Sequence, residues 1–200
     1  MYVRTSLDPL IWSQIGSVFQ DEISIFAVSC TGFIYLEASF RLFEVALLKV
    51  LIVYDSVSVN KNTEKVAEAI RDVLKAKGVD VQSSYVENVD SSIVKEYDCL
   101  IVGSPTHAWM ETPLIKGFLD GLKTESFAGK KAAAFDTRIK SRLSGSAVDG
   151  IEKRLKQLGF KIALPGLAAY VEGKEPNPVL ADGELDKAKK FAEELTKALQ

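Results

Sequence analysis

The sequence predicts an α/β fold of three layers: a doubly wound, parallel, five-stranded sheet with helices on both faces. Two observations lead there. Short apolar runs alternate along the chain with segments whose apolar residues recur at helical spacing. The runs at 50–54 and 99–102 are continuously apolar rather than alternating, as strands covered on both faces must be.

The elements follow in order after residue 48. "KVLIVY" at 49–54 is the first strand, and the helix behind it places Val66, Ile70, Val73 and Leu74 on one face. Gly78 stands where that helix should stop. "VDVQSSYV" at 79–86 alternates polar and apolar residues, which fits a strand near a sheet edge. "DCLIVGS" at 98–104 is the third strand, and Thr112 before Pro113 supplies an N-cap and a first helical position for Leu114, Ile115, Phe118, Leu119 and Leu122. "KKAAAF" at 130–135 is the fourth, followed by the stripe Val148, Ile151, Leu155 and Leu158, with Gly159 as its stop. "LAAYVEG" at 167–173 is the fifth, and Leu185, Ala188, Ala192, Leu195 and Leu199 line the last helix.

Composition divides the chain at the same point. Residues 1–48 contain no lysine, only Arg4 and Arg41 as bases, and eight of the eighteen aromatic residues. The expected organisation is an N-terminal extension, 1–48, and one domain, 49–200. The composition break is explained if residues 1–47 lie upstream of the natural product, with Leu48 at an alternative start; the rival is an amphipathic partner or membrane-surface segment, disfavoured by its scarce bases. The apolar stretch 23–36 is shorter than the roughly 18 residues a spanning helix needs. A net charge of −2 with mixed signs offers no footprint for nucleic acid. Cys30 and Cys99 form no metal or disulfide pattern, which points to a reducing, cytoplasmic setting without a membrane span. Cys99 lies in an apolar run and reads as core.

In an open parallel sheet, ligands bind beyond the carboxyl ends of the strands. Three loops therefore matter: 55–63, 104–112 and 136–146. The first presents Ser56, Ser58, Asn60, Lys61, Asn62 and Thr63 just before a helix, where unpaired N–H groups and the positive helix end favour a phosphate. It has no glycine, and Asn60 and Asn62 are the residues expected to take left-handed conformations in its place. A capped loop that binds nothing is the equal alternative on these residues alone. The second loop follows Ser104, Pro105 and Thr106 with His107, Ala108, Trp109 and Met110; large side chains on a loop often meet a ligand, though Trp109 capping the core edge and a plain surface histidine also fit. The third carries Asp136, Thr137, Arg138, Lys140 and Arg142 before Gly145 and Ser146, either a solvated basic loop or a flank of an anionic or redox-active ligand.

Three ordered segments give the chain a resemblance. "YDS…NTEKVAEAI" (54–70), "YDCLIVGSPTHAWMETPLIKGFLDGL" (97–122) and "AAFDTRIKSRLSGSAVDGIEKRLKQLGF" (133–160) resemble the flavodoxin family, from Lys49 to the C-terminus. The resemblance implies strand order 2-1-3-4-5 with FMN at the switch point. It implies that Ser56, Ser58, Asn60, Lys61, Asn62 and Thr63 form the phosphate loop. Ser104, Pro105, Thr106, His107, Ala108 and Trp109 would flank the isoalloxazine on one side, with Asp136, Thr137, Arg138 and the chain to Gly145 on the other. The first loop is longer than the family's Ser/Thr-x-Thr-Gly-Asn-Thr and lacks its glycine. The third lacks the stacking tyrosine of many relatives and is basic.

The expected function is an FMN-binding redox protein in electron transfer, working with a redox partner protein or a small-molecule acceptor, with Trp109 stacked on the ring and Arg138 favouring the reduced, negative flavin. The alternatives are an NAD(P)H-dependent FMN or quinone reductase, in which Arg138, Lys140 and Arg142 receive nicotinamide phosphates, and a cofactor-free binding module of the same fold. A phosphoacceptor receiver is disfavoured because Gly103-Ser104-Pro105 stand where an acceptor carboxylate is needed.

Overall fold

The structure is a computed structural model, and it describes residues 48–141, 144–173 and 177–200. The expectations placed on residues 1–47, on Cys30 and on Arg142 lie outside them. Within them the chain runs β1 (Lys49–Tyr54), α1 (Asn62–Ala76), β2 (Asp80–Tyr85), β3 (Cys99–Pro105), α2 (Pro113–Gly121), β4 (Lys131–Ile139), α3 (Ala147–Gln157), β5 (Lys161–Ile162), β6 (Leu167–Glu172), β7 (Val179–Leu180) and α4 (Glu184–Leu199). The strands form one sheet in the order β2-β1-β3-β4-β6-β7, with β5 also on β4. All pairs are parallel except β6 with β7.

The sheet alternates its apolar residues between two cores. Val50, Ile52, Ile101, Ala133 and Phe135 face α1 and α4. Leu51, Val53, Leu100, Val102, Ala132 and Ala134 face α2 and α3. Both faces are covered, which is why β1 and β3 are apolar at successive positions. The α1 stripe of Val66, Ala67, Ile70 and Leu74 is fully buried. Gly78 and Gly159 end their helices at φ 80 and 94°, in the left-handed region where glycine avoids the Cβ clash. Two 3-10 turns, Val86–Asn88 and Ser91–Glu96, stand in place of a crossover helix between β2 and β3.

Three expectations change. The fourth strand extends from 135 to Ile139, because Asp136 to Ile139 pair with β6 at Ala168 to Val171. The third loop therefore shortens, and Asp136, Thr137 and Arg138 belong to a strand. The expected fifth strand is β6, and a short strand not read from the sequence, β5, precedes it on the same edge of β4, the two separated by 163–166. Pro165 there lacks a ladder donor, and the Gly166 N–H turns instead to Glu152 Oε1 at 2.8 Å. Third, the parallel sheet gains the antiparallel strand β7 from the stretch read as loop.

Candidate functional site

The carboxyl ends of β1, β3 and β4 bring the predicted residues of all three loops to one end of the sheet, and cross-links fix them there. The Thr63 and Thr137 hydroxyls are 2.8 Å apart, joining the start of α1 to β4. Thr106 donates its N–H to the Thr137 carbonyl at 2.9 Å and its hydroxyl to Asp136 Oδ2 at 3.1 Å, joining the second loop to β4.

In the first loop the left-handed residue is Lys61, at φ 50°, and neither asparagine takes that role. Asn60 and Asn62 instead each donate a side-chain N–H to the Pro178 carbonyl, at 2.9 and 2.8 Å. The loop closes on itself, with the Lys61 N–H on the Ser58 carbonyl at 2.9 Å and the Asn62 N–H on Ser58 Oγ at 3.3 Å. Lys61 pairs with Glu64 at 3.1 Å and is mostly exposed. The Ser56 hydroxyl is buried without a hydrogen-bond partner among the described residues.

In the second loop, buried Ser104 donates to the Pro105 carbonyl at 2.9 Å and accepts the Thr112 N–H at 3.0 Å. His107 and Met110 exchange backbone hydrogen bonds at 2.9 and 3.1 Å around a two-residue turn, Ala108 and Trp109. Both turn residues have positive φ, 46 and 70°. Such turns ordinarily use asparagine and glycine, and a non-glycine left-handed residue costs about 1–3 kcal/mol. What holds the strain is Gly145: at φ 71° it lies against the turn, and a Cβ there would be 2.4 Å from Trp109 Cα. The result is an indole held 68% exposed. Val57, Val59 and Met110 add exposed apolar surface on the same two loops.

Asp136 is fully buried and holds the start of α3. Its Oδ2 accepts the N–H groups of Ala147 and Val148 at 3.0 and 3.3 Å, while Ser146 Oγ accepts that of Asp149 at 3.3 Å. Burial raises the Asp136 carboxyl above its ordinary value, against the pull of Arg138, the two N–H groups and Thr106. Arg138 Nη1 lies 3.5 Å from Asp136 Oδ2 and donates to the Gly145 carbonyl at 2.9 Å. Arg138 is thus a brace between β4 and the glycine beneath Trp109.

Three residues escaped the sequence reading. Asp55 is buried at the end of β1 and accepts the Tyr85 hydroxyl at 2.6 Å, which pushes Tyr85 up to about 12. A carboxylate next to a strand end was the available signal. Glu111 is buried against Arg154 at 2.8 Å, and that guanidinium also holds Asp120 at 2.8 Å, pinning the second loop to α2 and α3. Pro178 gave no signal, being 116 residues from Asn62. Among the described residues no cluster of side chains suits a metal ion, and no helix is long and apolar enough to cross a membrane.

Comparison with known proteins matches the sequence model described as flavodoxin to residues 52–190. The chain is 30% identical over 162 residues to an uncharacterised protein of Methanocaldococcus jannaschii, covering 75% of this chain and 99% of that one. Among solved structures it is similar to oxidised flavodoxin 2 from Bacillus cereus, with 28% identity, TM-score 0.65, and 74 and 98% of the two chains covered. It is also similar to a flavodoxin from the domain Archaea, with 27% identity, TM-score 0.64, and coverage of 76 and 99%.

Proposed function

The chain belongs to the flavodoxin family over residues 52–190, and from that premise we propose that it is an FMN-binding redox protein acting in electron transfer. The observation that carries the reading is the strained Ala108-Trp109 turn, which displays an indole beyond the carboxyl end of β3, against Gly145 of the loop after β4. Backbone strain of this kind collects at ligand clamps, where surrounding contacts over-determine it. The exposed apolar side chains on the first two loops suit an aromatic ring, and the buried, partnerless Ser56 hydroxyl suits a polar side chain extending from it. The residues present therefore fit a flavin.

In this reading residues 104–109 flank one side of the ring and 144–146 the other, while the first loop and the start of α1 receive the side chain. A bound flavin supplies the redox chemistry, and the protein sets its binding and potential. Arg138 acts mainly by holding Gly145 under the turn, since its charge is already shared with Asp136 at 3.5 Å. The electrons pass to a redox partner protein or a small-molecule acceptor.

The test is the visible spectrum of the purified full chain after FMN is added and the excess removed. A retained and perturbed flavin spectrum is expected, with Trp109→Ala weakening binding by about tenfold, the size of one aromatic contact. A folded protein that stays colourless rejects the reading in favour of a cofactor-free binding module.

A further inference from the structure

One carboxylate oxygen ties together the two loops that meet at Trp109. Asp136 Oδ2 accepts the Thr106 hydroxyl at 3.1 Å, and so holds the second loop two residues before the Ala108-Trp109 turn. The same oxygen accepts the Ala147 and Val148 N–H groups at 3.0 and 3.3 Å, where the third loop passes into α3. The Ala147 N–H also lies 3.1 Å from Thr106 Oγ1, so the three groups close a triangle. Arg138, 3.5 Å from that oxygen, reaches on to the Gly145 carbonyl at 2.9 Å. Gly145 in turn carries the indole: a Cβ there would lie 2.6 Å from Trp109 Cδ1, and the two residues form a parallel β-bridge.

Capping α3 does not account for a carboxylate at this place, because Ser146 already caps the helix through the Asp149 N–H. Asp136 is fully buried, and its Oδ1 has no hydrogen-bond partner among the described residues. A buried carboxylate satisfied on one oxygen only costs stability, and burial raises its pKa accordingly, with Arg138 the charged group that pulls the other way. Such departures from the most stable arrangement collect where a site has to be held in place. Resting on the flavin-binding reading, we propose that Asp136 is a positioning residue for that site: its carboxylate locks the second and third loops into one unit and so sets the place of the Trp109 indole against the ring. It acts through Thr106, Ala147 and Arg138, being itself closed off from solvent.

The experiment uses the flavin-free full chain carrying Trp12→Phe, which leaves Trp109 as its one indole. Asp136→Asn keeps the size of the side chain and one oxygen but removes the charge, while Thr106→Val removes the hydroxyl and leaves the carboxylate. Far-UV circular dichroism checks the fold of each variant, the near-UV signal reports how the indole is held, and titrations with FMN and with lumiflavin, the ring without its side chain, report binding. Asp136→Asn should lose most of the near-UV indole signal and Thr106→Val part of it. In Asp136→Asn both ligands should bind about tenfold more weakly, the worth of one charge-assisted hydrogen bond, with their ratio unchanged because the disturbance is on the ring side. A folded Asp136→Asn with the original indole signal and dissociation constants, and only a lower urea midpoint, makes the residue merely structural and overturns the proposal. Weakening confined to FMN overturns it as well. Should Asp136→Asn not fold, the same measurements on Thr106→Val decide alone, an unchanged indole signal and affinity counting against the assignment. If the chain with Asp136 intact binds neither flavin, the flavin-binding reading falls, and the indole signal still judges whether Asp136 holds the turn.

Discussion

Gly103, in the middle of the site's central strand, has no room for a side chain: a Cβ there would sit 2.0 Å from Phe135 Cζ, on a fully buried ring. Gly103→Ala should therefore destabilise the fold by about 1–3 kcal/mol through overpacking, seen as a lower urea midpoint at unchanged slope. Wild-type stability in that variant would show that Phe135 yields freely. The glycine itself was visible in the sequence, but its partner 32 positions away was not. Lys61 teaches the same limit from the other side. Its left-handed backbone lies between two asparagines that local preference favours for that conformation. The asparagines are held elsewhere by Pro178, and no local pattern records that contact.

Between elements, the Tyr85 hydroxyl on Asp55 ties the end of β2 to that of β1. The Tyr85 phenol is raised from 10.0 to about 12, chiefly by this hydrogen bond. The folded state thus holds the proton more tightly than the unfolded chain, so the stabilisation is fully present below pH 10 and is lost as pH rises through about 12. In an alkaline titration followed by tyrosinate absorbance, one late-titrating tyrosine should disappear in Tyr85→Phe; an unchanged curve would contradict the link. Helices were legible throughout, because Val66, Ile70 and Leu74, or Ile151 and Leu155, carry a 3.6-residue period that each helix buries on its own. The end of β4 was not. Asp136, Thr137 and Arg138 are polar and read as loop, and only their ladders with neighbouring strands, β6 for all three and β3 for the first two, make them strand.

For the whole molecule, ligand binding and stability are linked. FMN at a hundredfold excess over its dissociation constant should stabilise the domain by about 2.7 kcal/mol, measurable as a rise in Tm, while a Tm indifferent to FMN would speak against specific binding. The strain in the Ala108-Trp109 turn is a cost of holding the indole in an exposed position. The sequence by itself determined the layered α/β architecture, the two buried faces and the three loops at the strand ends, because hydrophobic periodicity and apolar continuity are written locally and each element displays its own burial. Tertiary structure alone decided which polar groups in those loops remain available. Asn60 and Asn62 against Pro178, and Thr63 against Thr137, are pairings between distant segments, while Arg138 closes on its near neighbours Asp136 and Gly145. A buried polar group must find a partner wherever the fold brings one, so side chains that read as ligand contacts became the bonds that shape the site.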